Sequence, residues 1–198
     1  MVLAETKDLL DRKFDVCFTH GDVNGNGVLE KDDSMALVAR ILANLGEPNN
    51  SPKAQKLFQE YENFWTSLQA NIDFDGDGKI TPEEWRKGLR QSLAENPQAY
   101  KASFHPLAEA IFTVCDRDGD GFLQQSELAK YHQAFGCTSE NSQLAFEKLD
   151  IDRDGKLTIS ELLSAWEEYY TSNDPNAPGN WLYGDVWDNA VAIGKKTM

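Results

Sequence analysis

Apolar side chains recur every three or four residues on both sides of four short polar segments. This spacing places them on one face of an α-helix, where they form a stripe that a folded protein buries. The apolar positions around the four segments are Phe14, Phe18, Leu37, Val38 and Ile41; Phe64, Leu68, Ile72, Trp85 and Leu89; Ile111, Phe112, Cys115, Leu128, Tyr131 and Phe135; and Phe146, Leu149, Leu162, Trp166 and Tyr169. The pattern therefore predicts an all-α fold built from four helix–loop–helix units.

The four polar segments share one pattern of twelve residues, which begins at Asp22, Asp73, Asp116 and Asp150. Acidic or amide residues stand at positions 1, 3 and 5, glycine at position 6 and an acid at position 12. This is the pattern of the EF-hand calcium loop, in which position 7 contributes its backbone carbonyl. The predicted metal ligands at positions 1, 3, 5, 7 and 12 are Asp22, Asn24, Asn26, Val28 and Asp33; Asp73, Asp75, Asp77, Lys79 and Glu84; Asp116, Asp118, Asp120, Phe122 and Glu127; and Asp150, Asp152, Asp154, Lys156 and Glu161.

The chemistry of calcium explains this pattern. The ion takes six to eight oxygen ligands at about 2.3–2.6 Å, so a short loop must turn several carboxylates toward one point. Glycine at position 6 permits the sharp bend, and the acid at position 12 ties the outgoing helix to the ion. Position 8 is apolar in every loop, as Leu29, Ile80, Leu123 and Leu157. This predicts two pairs of EF-hands, joined within each pair by a short antiparallel β-bridge.

The first loop differs from the other three. Asn24 and Asn26 replace two of the acids, and Asp33 stands where the other loops have glutamate at position 12. Aspartate is one methylene shorter and reaches the ion less readily with both oxygens, which favours six-coordination and a smaller ion. We therefore expect three to four Ca²⁺ ions in all, with a first site that is weaker for calcium or tolerates Mg²⁺. Glu30, at position 9, is placed to compensate in part.

Breaks in the helical pattern divide the chain into three predicted parts. Loop starts are separated by 51, 43 and 34 residues, so the first pair is stretched by a turn-rich segment and a long helical run over 54–70. A second break at Glu95, Asn96 and Pro97 separates the pairs without a flexible linker. We expect an N-terminal EF-hand pair over 1–95, a C-terminal pair over 96–172 and a tail over 173–198 that packs on the body. The two halves should form one compact globule.

Composition narrows the class of protein. The 198 residues carry 33 Asp plus Glu against 19 Lys plus Arg, a net charge of −14, which excludes binding to nucleic acid through phosphate neutralisation. No apolar stretch is long enough to span a membrane, and the start lacks the pattern of a secretory signal, so we expect a cytoplasmic protein, as a monomer.

Cys17, Cys115 and Cys137 are widely spaced and are expected to be reduced thiols. No common catalytic motif occurs, so no enzyme is expected.

The sequence resembles the sarcoplasmic calcium-binding proteins, with calexcitin and the coelenterazine-binding photoproteins as relatives. The resemblance covers nearly the whole chain and rests on the four loops, on Trp85 directly after the second loop and on the tail over 169–184. It implies a compact helical globule whose halves face each other around an aromatic interior, against which the tail packs. We expect this interior to hold Trp65, Trp85, Trp166, Trp181 and Trp187.

Three functions remain open at this point. The first is a calcium buffer or signal modulator, and the second is a calcium sensor that exposes an apolar surface to a protein target. Sensors often use methionine-rich surfaces, and Met35 is the only methionine away from the chain ends, which favours the buffer. The third is a photoprotein-like carrier of an apolar small ligand. Luminescence itself is not expected, because Ala165 or a neighbour occupies the position of the photoprotein histidine and no histidine follows His132.

Overall fold

The computed structural model describes residues 8–95 and 97–188, and these residues form an almost entirely helical protein. Its α-helices are α1 (Leu9–Gly21), α2 (Lys31–Leu45), α3 (Pro52–Ile72), α4 (Pro82–Glu95), α5 (Pro97–Cys115), α6 (Gln125–Gln133), α7 (Ser139–Leu149) and α8 (Ile159–Thr171). A short 3₁₀ helix follows at Pro178–Trp181. No α-helix in the described ranges is long and apolar enough to cross a bilayer. The predicted all-α fold is confirmed.

Several helices begin at residues whose side chains accept hydrogen bonds from the first turn. The Ser51 hydroxyl accepts from the Ala54 N–H at 3.0 Å, and Pro52 follows at the first helical position. Thr158 does the same at the start of α8, where its hydroxyl accepts from the Glu161 N–H at 3.2 Å. Such contacts satisfy backbone donors that a helix start leaves unpaired.

The four predicted calcium loops meet in two pairs, as the apolar residues at position 8 predict. Leu29 and Ile80 form an antiparallel bridge with N–H to carbonyl distances of 2.8 and 2.9 Å. Leu123 and Leu157 form the second bridge, also at 2.8 and 2.9 Å. All four side chains are buried, so each bridge fixes two loops against the core.

The two halves share one hydrophobic core. Helix α3 packs along α5, and α1 packs against α8, so both halves contribute to the interface. Lys13 on α1 is fully buried there, and its Nζ donates to the Ser172 carbonyl at 2.8 Å. The Tyr169 hydroxyl donates in return to the Lys13 carbonyl at 3.0 Å. These contacts confirm the prediction of one compact globule.

The segment after α8 folds back onto the body. The Leu182 side chain is buried, and its carbonyl lies 3.1 Å from Nε2 of His132, whose Nδ1 lies 3.1 Å from the Ser142 hydroxyl. A carbonyl only accepts, so the buried imidazole donates through Nε2 and accepts from the serine at Nδ1. Burial lowers the pKa of His132 to about 4.

The expected placement of all five tryptophans in the interior is wrong for Trp187. Trp65, Trp85 and Trp166 are buried and Trp181 is partly buried, but Trp187 is 44% exposed. Its ring lies on the surface of α1, with the Arg12 guanidinium 4.3 Å from the ring centroid. A cation over an aromatic face is favourable without burial of the ring. The rest of the predicted tail, 189–198, lies outside the described residues.

Candidate metal sites

Each loop holds its first aspartate in place by hydrogen bonds to its own backbone. In the second loop, Asp73 accepts from the Gly76 N–H at 2.8 Å and from the Gly78 N–H at 3.0 Å. Asp22 and Asp116 likewise accept from the N–H groups at positions 4 and 6, and Asp150 accepts from those at positions 5 and 6. The glycines at position 6 have φ between 83° and 88°, which residues with a side chain rarely adopt. The chain is therefore curved around a point in each loop.

Three loops bring carboxylates together at that point. The clusters are Asp73, Asp75 and Glu84; Asp116, Asp118 and Glu127; and Asp150, Asp152 and Glu161, with one oxygen from each residue within 4.8 Å of the others. Oxygens that coordinate calcium at 2.3–2.6 Å lie up to about 5 Å apart. The donor type and the spacing of positions 1, 3 and 12 therefore fit a calcium ion.

The glutamate at position 12 joins the two ends of its loop. Glu84 accepts from the Phe74 N–H at 3.1 Å and from the Thr81 N–H at 2.9 Å. The Thr81 N–H bond is the main cause of a lowered pKa for Glu84, so this carboxylate is charged at neutral pH. Glu127 and Glu161 bond their loops in the same way. A metal ion bound to this residue would thus be linked to the outgoing helix.

The carboxylates at position 5 have a different role in the structure. Asp77 accepts from the Lys79 N–H at 2.8 Å, Asp120 from the Phe122 N–H at 2.9 Å and Asp154 from the Lys156 N–H at 2.9 Å. Each bond orients the backbone at position 7. These residues lie outside the three carboxylate clusters, so ligation by positions 5 and 7 stays a prediction.

Crowding of negative charge is clearest in the fourth loop. The Asp154 N–H lowers the pKa of Asp152, but burial and the neighbouring loop carboxylates outweigh this bond, and the pKa is raised overall. Arg153 adds strain at position 4, where its φ is 61°. The other loops have glycine at this position, as Gly25, Gly76 and Gly119, with φ of 74°, 73° and 75°. The sequence shows arginine where the other loops have glycine, but the strained backbone at Arg153 was not predicted from it.

In the first loop, the side-chain amide groups of two asparagines donate hydrogen bonds to carboxylates of the same loop. Nδ2 of Asn24 donates to Oδ1 of Asp33 at 2.8 Å, and Nδ2 of Asn26 donates to Oε2 of Glu30 at 3.0 Å. Oε1 of Glu30 lies 3.1 Å from Nζ of Lys79, which comes from the second loop. The Asp33 side chain is buried. Asp22, Asn24, Asn26, Val28 and Asp33 therefore offer two carboxylates in place of four.

A cavity of about 80 Å³, partly open to solvent, lies between the halves, beside the first loop. Aromatic side chains from both halves line it, including Tyr61, Phe64 and Tyr183, and Asp33 forms part of its wall. The Tyr170 hydroxyl lies 3.0 Å from the Cys17 sulfur and 3.3 Å from the Tyr183 hydroxyl. Burial raises the pKa of Cys17 to about 11, so this thiol stays protonated at neutral pH.

Two family models match this chain: an EF-hand domain pair over residues 104–167, and an EF hand over residues 70–89. The solved structure of a calcium-binding protein from Streptomyces coelicolor is 31% identical, with a TM-score of 0.73. That alignment covers 82% of this chain and 98% of the Streptomyces chain. The chain belongs to the EF-hand family.

This EF-hand protein is similar to several curated relatives over most of its length. It is 25% identical to calerythrin of Saccharopolyspora erythraea, covering 86% of this chain and 94% of calerythrin. It is 26% identical to sarcoplasmic calcium-binding protein 1 of Astacus leptodactylus, covering 83% and 90%, and 27% identical to clytin of Clytia gregaria, covering 85% and 84%. The predicted relationship to the sarcoplasmic calcium-binding proteins and the photoproteins is confirmed, and the chain is a calcium-binding EF-hand protein.

Proposed function

We propose that this protein is a cytoplasmic, monomeric calcium buffer or signal modulator. Its second, third and fourth loops take Ca²⁺, and its first loop is a weaker site that tolerates Mg²⁺. The observation that carries the proposal is the difference among the loops: three hold clusters of three carboxylates, whereas amide groups close the first. The unpaired thiols of Cys17, Cys115 and Cys137 support a reducing compartment.

Contacts between α1 and α4 favour a buffer over a sensor. Trp85, directly after the predicted ligand Glu84, donates from Nε1 to the Phe14 carbonyl at 2.9 Å. Arg90 on the same helix lies 2.8 Å from Asp8 and 2.7 Å from Asp11. A sensor opens the two helices of each hand to expose an apolar groove. The contacts between α1 and α4 tie helices of two different hands together and so oppose a large rearrangement of the first pair.

Binding of a hydrophobic dye distinguishes the two roles. We expect little increase in dye fluorescence when calcium is added to the full chain, because the aromatic core stays closed. The variant E84Q/E127Q/E161Q, which lacks the glutamates at position 12, is the matched control for effects of calcium unrelated to the loops. A large increase in the wild-type chain that is absent from the control would instead establish a sensor.

The cavity between the halves supports a second candidate function, that of a carrier for an apolar small ligand. About half of its lining residues are aromatic, and Leu107 is one of the aliphatic residues in its wall. Quenching of tryptophan fluorescence by xenon, an apolar atom small enough for a cavity of this size, tests this function, with L107F as a variant that reduces the space. Saturable quenching that L107F weakens would support a carrier. No quenching in the wild-type protein, or quenching that L107F leaves unchanged, would reject it.

A further inference from the structure

The two EF-hand pairs carry a lysine at the same place, and the two lysines have different partners. Lys79 and Lys156 both stand at position 7 of the second loop of their pair. Nζ of Lys156 lies 4.4 Å from the ring centroid of Phe122, at position 7 of the third loop. Nζ of Lys79 instead lies 3.1 Å from Oε1 of Glu30, at position 9 of the first loop. Only the first pair therefore directs this ammonium group toward a carboxylate.

Glu30 belongs to the immediate surroundings of the first metal position. Its second oxygen accepts from Nδ2 of Asn26, the residue at position 5, at 3.0 Å. Position 9 of an EF-hand loop commonly contributes to the calcium shell, often through a water molecule. Asp22 and Asp33 are the carboxylates at the standard positions of the first loop, and Glu30 adds a third, whereas position 9 of the other loops is Thr81, Gln124 or Thr158.

We propose that Lys79 is a tethered cation that sets the ion preference of the first loop. Its ammonium group pairs with Glu30 and so competes with a divalent ion for that carboxylate. Calcium needs more oxygen ligands than magnesium, which is satisfied by six and keeps several waters. Withholding Glu30 therefore penalises calcium more than magnesium. This role rests on the proposed function, in which the first loop binds a divalent ion weakly.

The geometry allows Lys79 to be changed without loss of a metal ligand. An EF-hand residue at position 7 ligates through its backbone carbonyl, so its side chain is free to vary. The Lys79 N–H donates to the Asp77 carboxylate, and the adjacent bridge joins the backbones of Ile80 and Leu29, so neither contact uses the Lys79 side chain. The side chains of Lys79 and Glu30 are 47% and 33% exposed, so removing the pair leaves no buried charge.

The test compares K79M with K156M, which removes the same charge from the same position of the other pair. Titration of the full chain with CaCl₂ or MgCl₂ is followed by NMR at the Gly27 amide, which donates to Oδ2 of Asp22 at 2.9 Å. We expect K79M to raise the calcium affinity of the first loop about three- to tenfold, the size expected of one charge pair near water. The magnesium affinity should rise less, and K156M should change either affinity by less than about twofold.

The partner residue gives a second control. In the background E30Q, the change K79M should no longer raise the calcium affinity of the first loop, because the carboxylate it competes for is gone. An equal rise in K156M, or a full rise in E30Q/K79M, would show a general charge effect and overturn the role of Lys79. So would a Gly27 resonance that titrates identically in wild type and K79M. A Gly27 resonance that responds to neither ion in any variant would overturn the proposed first site itself.

Discussion

Arg153 holds a backbone conformation that suits glycine. Its φ of 61° lies in the left-handed region, which costs an ordinary residue roughly 1–2 kcal/mol. The other three loops avoid this cost with glycine at the same position. The strain is local, and it lies between two predicted ligands of the fourth loop, Asp152 and Asp154.

We expect R153G to raise the free energy of unfolding by about 1 kcal/mol, measured by urea denaturation at a fixed, saturating calcium concentration. Glycine relieves the strain, although it also makes the unfolded chain more flexible, so the gain is less than the full cost of the conformation. R153K keeps both the strain and the charge and should leave the stability unchanged. A loss of stability in R153G would contradict the account of backbone strain at this position.

His132 makes stability depend on pH. Burial holds its folded pKa at about 4, below the ordinary value of 6.5. Between these values the unfolded chain takes up a proton that the folded chain does not, so stability falls as the pH falls.

The variant H132Q keeps a polar side chain but cannot titrate, so the difference in unfolding free energy between wild type and H132Q isolates this histidine. When the pH falls from 7 to 5, the wild type should lose about 2 kcal/mol more of its unfolding free energy than H132Q loses. Both proteins are measured at the same saturating calcium concentration, so that titration of the loop carboxylates affects them alike. A difference that stays constant with pH would contradict the account of a buried neutral imidazole.

The helices themselves follow closely from the apolar pattern. The long run predicted over 54–70 becomes α3, Pro52–Ile72, because Ser51 and Pro52 begin the helix and Asp73 starts the loop. Which helices touch across the halves was not visible, since such contacts join residues far apart in the chain. The Lys13 contact with the end of α8 and the exposed position of Trp187 are examples.

The contact of the 3₁₀ helix with α8 depends on a glycine. A Cβ at Gly179 would lie 2.5 Å from the Ala165 carbonyl oxygen and 2.9 Å from the Tyr169 nitrogen, and both are backbone atoms that cannot easily move. The Gly179 N–H also donates to Glu168 at 2.8 Å. The close approach of these two helices therefore requires a residue without a side chain.

We expect G179A to lower the free energy of unfolding by about 2–3 kcal/mol, because the added methyl group separates the tail from α8. Urea denaturation measures this loss. G21A is the control, since a Cβ there would meet only the Leu29 side chain, at 3.1 Å, and should cost less than about 1 kcal/mol. Equal effects of the two substitutions would contradict the packing described for the tail.

The net charge of the protein matches its calcium loops. Positions 1, 3, 5 and 12 of the four loops hold 14 carboxylates, the same number as the net charge of −14. Three bound divalent ions would bring this charge to −8, relieving repulsion that concentrates in the loops. Binding to the folded state alone also stabilises it by mass action.

The candidate sites were more predictable than the interior. Loop spacing alone located the carboxylates of the second, third and fourth loops, because a loop of fixed length determines which side chains converge. The amide closure of the first loop and the Glu30–Lys79 pair were not predictable, since they depend on side-chain directions and on a partner from another loop.

Calorimetric titration with calcium, with and without excess magnesium, tests the central claim most directly. We predict three sites of high calcium affinity and a weaker fourth whose calcium binding magnesium suppresses. E84Q, E127Q and E161Q should each remove one strong site, whereas D33N should remove only the weak one. Four equivalent sites, fewer than three strong sites, or the loss of a strong site in D33N would contradict the account.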